Sequence, residues 1–176
     1  MDFDGLVDRY EKPIYNLIYR LLGDREEAAD LTQETFVSAY KSWGRFRGEA
    51  SVYTWLYRIA VNLCKNKFKE RDRRRDYEGP SLDHGFTDEE LPKAAEAPHH
   101  DTPHAALQRK ELKELIEQAI RQLPPDYRIV AVLRDLQGLS YSEIASAADL
   151  SVEVVKTRLA RARGMLRQRL EAYLTE

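Results

Sequence analysis

The chain has a single cysteine in 176 residues, Cys64, so no intramolecular disulfide can form. Nowhere does it carry an apolar run long enough for a membrane-spanning helix, nor a cationic start followed by an apolar stretch. Membrane insertion and secretion are therefore not expected, and the reducing cytoplasm is the expected location. A Gly-rich phosphate loop, HExxH and GxSxG are all missing, as is any acid and base pair at a catalytic spacing. The expectation is a protein that is not an enzyme and needs no cofactor. Alternation of apolar and polar residues is scarce too, which excludes most strands and leaves an all-α reading.

What is present begins with charge. The formal net charge of -2 conceals a polarised layout. Residues 1–40 hold four cations against nine acids, and residues 41–78 hold eleven against five. Residues 79–106 hold one against six, and residues 107–176 twelve against ten. Phosphate contact depends on where cations sit, so the overall sum says little about nucleic-acid partners. With 43% hydrophobic residues, a chain this long can bury one modest core or two small ones.

Apolar residues recur at helical spacing in four stretches. Ile14, Leu17, Ile18, Leu21 and Leu22 form one stripe ending at Gly23, a C-cap candidate. Asp24 starts a second helix running through Trp43, with Glu26 and Glu27 in its first turn. Val52, Trp55, Leu56, Ile59, Ala60 and Leu63 give a third, capped by Ser51. Leu112, Leu115, Ile116, Ala119, Ile120 and Leu123 give a fourth, which Pro124-Pro125 must stop. From Gly79 to Pro103 the composition shifts to Pro, His, Asp, Glu and Ala without periodicity, as in a solvated, flexible linker. Two helical domains follow, 1–78 and 105–176, joined by residues 79–104.

The stretch SYSEIASAADLSVEVVKTRLARAR, residues 140–163, reads as a helix-turn-helix. Ile144, Ala145 and Ala148 face inward on the bracing helix, Asp149 makes the sharp turn, Leu150 plugs the angle and Ser151 caps the next helix. Val155, Leu159, Ala162 and Leu166 then point to the core, leaving Lys156, Thr157, Ala160, Arg161, Arg163 and Gly164 outward. Residues 151–169 hold six cations against one acid, Glu153, so this helix can approach phosphate and offer donors to guanine edges. The segment resembles region 4 of extracytoplasmic-function sigma factors. That resemblance implies binding of the minus-thirty-five promoter element through Lys156, Thr157, Ala160 and Arg161, supported by Arg158 and Arg163. Departures are Asp149 where the family usually has Gly, Glu153 where it has a small residue, and Ala160 where some relatives carry a larger one.

DLTQETFVSAYKSW, residues 30–43, and GRFRGEASVYTWLYRIAVNLCKN, residues 44–66, resemble region 2 of the same family. Asp30, Gln33 and Glu34 make an acidic and amide face suited to a basic coiled-coil partner. The resemblance implies that this face, with Leu31 and Phe36, grips core RNA polymerase. Tyr53, Tyr57, Arg58 and Asn62 lie off the apolar stripe, and rings, a cation and an amide together suit unpaired bases. By resemblance, Phe46 and Asn62 hold a flipped base of the minus-ten element, with Tyr53, Tyr57, Arg58 and Lys65 beside them, while Trp55 belongs to the buried stripe. The basic run KNKFKERDRRR, residues 65–75, is placed for phosphate contact.

His84, His99, His100 and His104, with Asp83 and Asp101, lack Cys partners and helical spacing, so no metal site is expected. Cys64 is expected to be an inert, partly buried thiol. The implied function is that of a sigma factor in stress response, a non-catalytic specificity subunit assisting promoter melting. Its partners are core polymerase, promoter DNA and an anti-sigma factor. The rival reading is a stand-alone helix-turn-helix transcriptional regulator.

Overall fold

Asp2 starts the first helix by accepting from the Gly5 amide at 3.0 Å, one of the donors that a helix N-terminus leaves without a partner. The computed structural model describes residues 2–78 and 102–174, and every regular element among them is helical. Helix α1 spans Phe3–Leu22 and closes on Gly23 at φ 74°, a left-handed cap that costs a glycine little. Helix α2, Arg25–Ser42, is capped by Asp24, which accepts from the Glu27 amide at 2.9 Å. A 3-10 turn, Trp43–Arg45, leads into a loop, and Ser51 then caps α3, Val52–Glu78, through the Thr54 amide at 3.1 Å.

The second half begins at α4, Pro103–Arg121, with Thr102 as its cap, so the helix starts inside the stretch read as linker. Pro125 occupies the first turn of α5, Pro125–Ala131, where a missing amide hydrogen does no harm. This short helix runs into a π-turn, Val132–Leu136, in which the Gln137 amide reaches back to the Val132 carbonyl at 3.0 Å. Helix α6, Tyr141–Ala148, has a reciprocal cap in which Ser140 accepts from the Glu143 amide and Glu143 accepts from the Ser140 amide. Helix α7, Val152–Leu174, is the last described element.

The sequence predicts two helical units, and α1–α3 and α4–α7 are those two groups. Helices α1, α2 and α3 pack on one another, as do α4 to α7, but one continuous core joins them. Leu17, Leu56 and Val61 from the first half share it with Ile129, Leu133 and Ile144 from the second. Helix α3 explains how. Its predicted stripe has Leu56 and Ala60 buried but Val52, Trp55, Ile59 and Leu63 only half-buried, while Thr54, Tyr57, Val61, Cys64 and Phe68 are buried instead. The helix is covered on two sides, by α1 and α2 and by α5 and α6, so the buried sector is wider than one stripe and rotated from it.

Cys64 is fully buried, and that burial pushes its thiol up from 9.0 to about 12, against a lowering influence from Arg71. The folded chain thus holds this proton more tightly than the unfolded chain does. The contribution to stability is intact below pH 9 and declines as pH rises from 9 towards 12. Urea titrations between pH 8.5 and 10.5 are expected to show wild type losing stability faster than Cys64→Ala. The difference in slope should approach about 1.4 kcal/mol per pH unit. Equal slopes would show that the thiol is not shielded.

Candidate nucleic-acid and polymerase interfaces

The turn of the helix-turn-helix rests on one residue. Asp149 stands at φ 55° and ψ 54° and is the one non-glycine residue at positive φ among the described residues. Its backbone closes α6 through the Ala145 carbonyl, and Ser151 opens α7 by accepting from the Val154 amide at 3.2 Å. Glycine lacks the Cβ that makes this conformation cost about 1–2 kcal/mol, and it gives back roughly 0.5–1 kcal/mol through a freer unfolded chain. Asp149→Gly is therefore expected to stabilise the protein by up to about 1 kcal/mol, measurable as a rise in the urea midpoint. A fall would mean that the carboxylate itself holds the turn.

Beyond the turn, Val155, Leu159 and Ala162 are buried and Leu166 is half-buried, as expected. Lys156, Thr157, Ala160, Arg161, Arg163 and Gly164 are exposed. The reading ridge is thus Lys156, Thr157, Ala160 and Arg161, three and four residues apart on one face of α7. Its cations are not equivalent. Arg158 is half-buried and pairs with Asp126 at 3.6 Å, and Arg163 is engaged by Asp135 at 2.7 Å. Lys156 lies 3.7 Å from the exposed Glu153, a contact of small worth in water. Thr157 spends its hydroxyl on the Glu153 carbonyl at 3.0 Å. Arg161 and Lys156 are the cations best placed to leave the protein for a base edge or a phosphate, and Arg158 and Arg163 brace the helix.

On α3 the predicted strand-capturing set divides. Phe46 stacks on Trp43 with centroids 6.0 Å apart and lies 4.9 Å from Trp55. Trp55, Arg58 and Asn62 follow one another at helical spacing on the same face, with Arg58 and Asn62 exposed and Trp55 half-buried. Trp55 packs against the core, as its place on the apolar stripe predicts, with its remaining edge beside Phe46. Tyr53 and Tyr57 lie on the opposite side. Tyr57 is 1% exposed, meets Tyr53 edge-on at 4.2 Å and donates its hydroxyl to Gln137 Oε1 at 2.8 Å. A ring so enclosed cannot stack on a base in this arrangement, so Tyr57 is corrected to a core residue. Burial raises the pKa of both tyrosines, which keeps the hydroxyls as donors. Lys65 is half-buried with its ammonium on the Ala148 carbonyl, and desolvation followed by Arg158 lowers its pKa.

On α2, Asp30, Gln33 and Glu34 are exposed on one face. Leu31 and Phe36, each 8% exposed, point the other way into the core and are corrected from contact residues to residues that hold the helix in place. The exposed face continues instead through Val37, 52% exposed, and Tyr40, 67% exposed, both in register with Asp30 and Gln33. Their spacing was the signal that sequence reasoning passed over.

His104 is exposed in the first turn of α4, whereas His84, His99, His100, Asp83 and Asp101 lie outside the described residues. Among the described residues no three His, Cys, Asp or Glu side chains cluster as metal ligands would. Nor, among them, is any helix long and apolar enough to cross a membrane.

The sigma-70 region 2 family matches residues 6–74, and the sigma-70 region 4 family matches residues 113–166. The chain belongs to the sigma-70 family. It is 39% identical to the RNA polymerase sigma-H factor of Pseudomonas aeruginosa, over 99% of this chain and 89% of that one. It is 36% identical to the extracytoplasmic-function RNA polymerase sigma-E factor of Haemophilus influenzae, over 98% and 89%. A sigma factor from Bartonella quintana, solved in complex with the anti-sigma factor NepR, shares the fold at a TM-score of 0.71 and 21% identity, covering 97% of each chain. The chain is thus an extracytoplasmic-function sigma factor, a transcription initiation factor that directs RNA polymerase to promoters. Because the curated relatives match both halves, a stand-alone regulator is not favoured. In this sigma factor the two family matches fall within the two helix groups, α1–α3 and α4–α7.

Proposed function

We propose that residues 1–78 act as region 2 and residues 105–176 as region 4, with residues 79–104 connecting them. The α2 face of Asp30, Gln33, Glu34, Val37 and Tyr40 docks on core RNA polymerase, its apolar members supplying contact area beside the carboxylates. The face built from Phe46, Trp55, Arg58 and Asn62 captures an unpaired minus-ten base, offsetting part of the cost of melting. The α7 ridge of Lys156, Thr157, Ala160 and Arg161 reads the minus-thirty-five duplex in the major groove. The protein contributes no bond-making group, since polymerase carries out the nucleotidyl chemistry, and it works in the cytoplasm. An anti-sigma factor covering both units fits the company the chain keeps, because a solved neighbour of its fold was captured with such a partner.

The observation that carries this reading is the presence, in one chain of this family, of an exposed cationic ridge on α7 and a separate face at α3 where an exposed cation and amide lie beside half-buried rings. Purified protein added to core polymerase should give promoter-specific transcripts, and no specific initiation on a panel of genomic promoters would defeat it. Asn62→Ala should impair open-complex formation, measured by permanganate reactivity, while duplex affinity stays within about twofold. Equal loss of both would remove Asn62 from its assigned role.

A further inference from the structure

We infer, resting on the reading of α7 proposed above, that Glu153 is a specificity residue: together with Lys156 it reads one G·C pair of the minus-thirty-five duplex. Its carboxylate accepts from the cytosine amine while the Lys156 ammonium donates to the paired guanine. Glu153 is the one acid beside the six cations of residues 151–169. It stands in the first turn of α7, two residues after the Ser151 cap, and the N-terminal residues of a recognition helix are those that meet base edges. Lys156, Thr157, Ala160 and Arg161 follow it three, four, seven and eight residues later, so Glu153 heads the same face. Its side chain is 85% exposed and pairs with Lys156, itself 52% exposed, at 3.7 Å. The two opposite charges are thus offered outward side by side.

A carboxylate brought among phosphates is repelled unless the groove gives it a hydrogen-bond donor. In the major groove only the amines of cytosine and adenine are donors. Adenine sets its amine between two acceptors, its own N7 and the O4 of the paired thymine, and both repel the second carboxylate oxygen. Cytosine sets its amine between a C–H edge and the guanine O6, and that O6, with N7 beyond it, accepts from an ammonium. Guanine O6 and cytosine N4 are hydrogen-bonded to each other and so lie about 3 Å apart. The Lys156 nitrogen and the Glu153 oxygen stand 3.7 Å apart, so donor and acceptor on α7 match acceptor and donor on one base pair. An exposed ion pair contributes little in water, which leaves both groups free to turn to the base edge at small cost.

The test titrates full-length protein, bound to core polymerase, with promoter duplexes in which each pair of the minus-thirty-five element is replaced in turn. A second set carries N4-methylcytosine at single positions, which blocks the groove side of the amine while the pair still forms. At one G·C pair both changes should weaken wild type by at least about fivefold, the low end of what a good side chain to base contact supplies. Glu153→Ala should reduce that discrimination to within about twofold and keep its preferences at the other pairs. Glu153→Gln, whose amide both donates and accepts, should shift the preference at that pair from cytosine towards adenine by at least about fivefold. A role confined to starting α7 would lower binding to every sequence by one factor and leave each preference in place. Glu153→Ala discriminating as wild type does at every pair would overturn the inference, even if it bound all duplexes more tightly through loss of a bystander carboxylate. So would an unshifted preference in Glu153→Gln. If wild type itself distinguishes no pair of the element, the α7 reading fails and the inference falls with it. If wild type discriminates and only the Glu153 variants change nothing, the α7 reading stands and the inference alone falls.

Discussion

Replacing Lys156 and Arg161 together by alanine is expected to weaken binding to a minus-thirty-five duplex by roughly 2 to 6 kcal/mol, about 1 to 3 for each residue that touches a base edge. Both side chains are exposed on the α7 ridge, and neither has a strong partner to lose on leaving the protein: Lys156 has only an exposed carboxylate 3.7 Å away. The folded state should therefore hardly change, and the loss should sit in the complex. Affinities measured across a salt series locate it further. If both residues neutralise phosphates, the slope of log affinity against log salt should shrink by about two. If both read bases, discrimination against a mutated element should collapse instead. Arg158→Ala provides the contrast, because its pairing with Asp126 makes it a brace for α5 against α7. A double variant that binds as tightly as wild type would remove this ridge from promoter recognition.

Tyr57→Ala should cost about 3 to 5 kcal/mol of stability, the range for emptying an aromatic-sized space in a core. Tyr57 is the largest of the fully buried side chains, and its hydroxyl ties two residues 80 positions apart. Tyr57→Phe keeps the ring and leaves the Gln137 acceptor without its donor, for a smaller loss of about 1 to 2 kcal/mol. Urea unfolding of the two variants separates this assignment from an exposed base-stacking role, which predicts losses below about 0.5 kcal/mol. A near-neutral Tyr57→Ala would mean that the closed core does not form in solution.

The helix-turn-helix was legible because its signals are local. Each core position of α7 repeats every three or four residues, Ser140 and Ser151 stand where unpartnered amides need acceptors, and Asp149 tolerates the left-handed turn. The caps at Gly23, Asp24 and Ser51 were legible for the same reason. Helix α5 was not, since seven residues between a proline pair and a π-turn make too short a window for periodicity. The α3 set failed in a more instructive way. Reading one apolar stripe assumes one covered side, and on that assumption Tyr57 falls outside the core and Cys64 only at its edge. A helix covered from two directions buries polar-tipped rings as readily as aliphatic chains, provided each hydroxyl finds an acceptor, and Gln137 supplies it.

The amino-acid order alone thus determined the longer helices, most of their caps and the face of α7 that stays outward, because each depends on groups within a few residues of one another. Only the tertiary structure decided which side of α3 stays open, that Leu31 and Phe36 serve the core while Val37 and Tyr40 face outward, and that the two halves close together. Those outcomes depend on contacts such as Arg128 with Leu21, 107 residues apart. A pairing at that separation leaves no period in the sequence, since the surface that buries a side chain is contributed by a segment whose position is set only once the chain has folded.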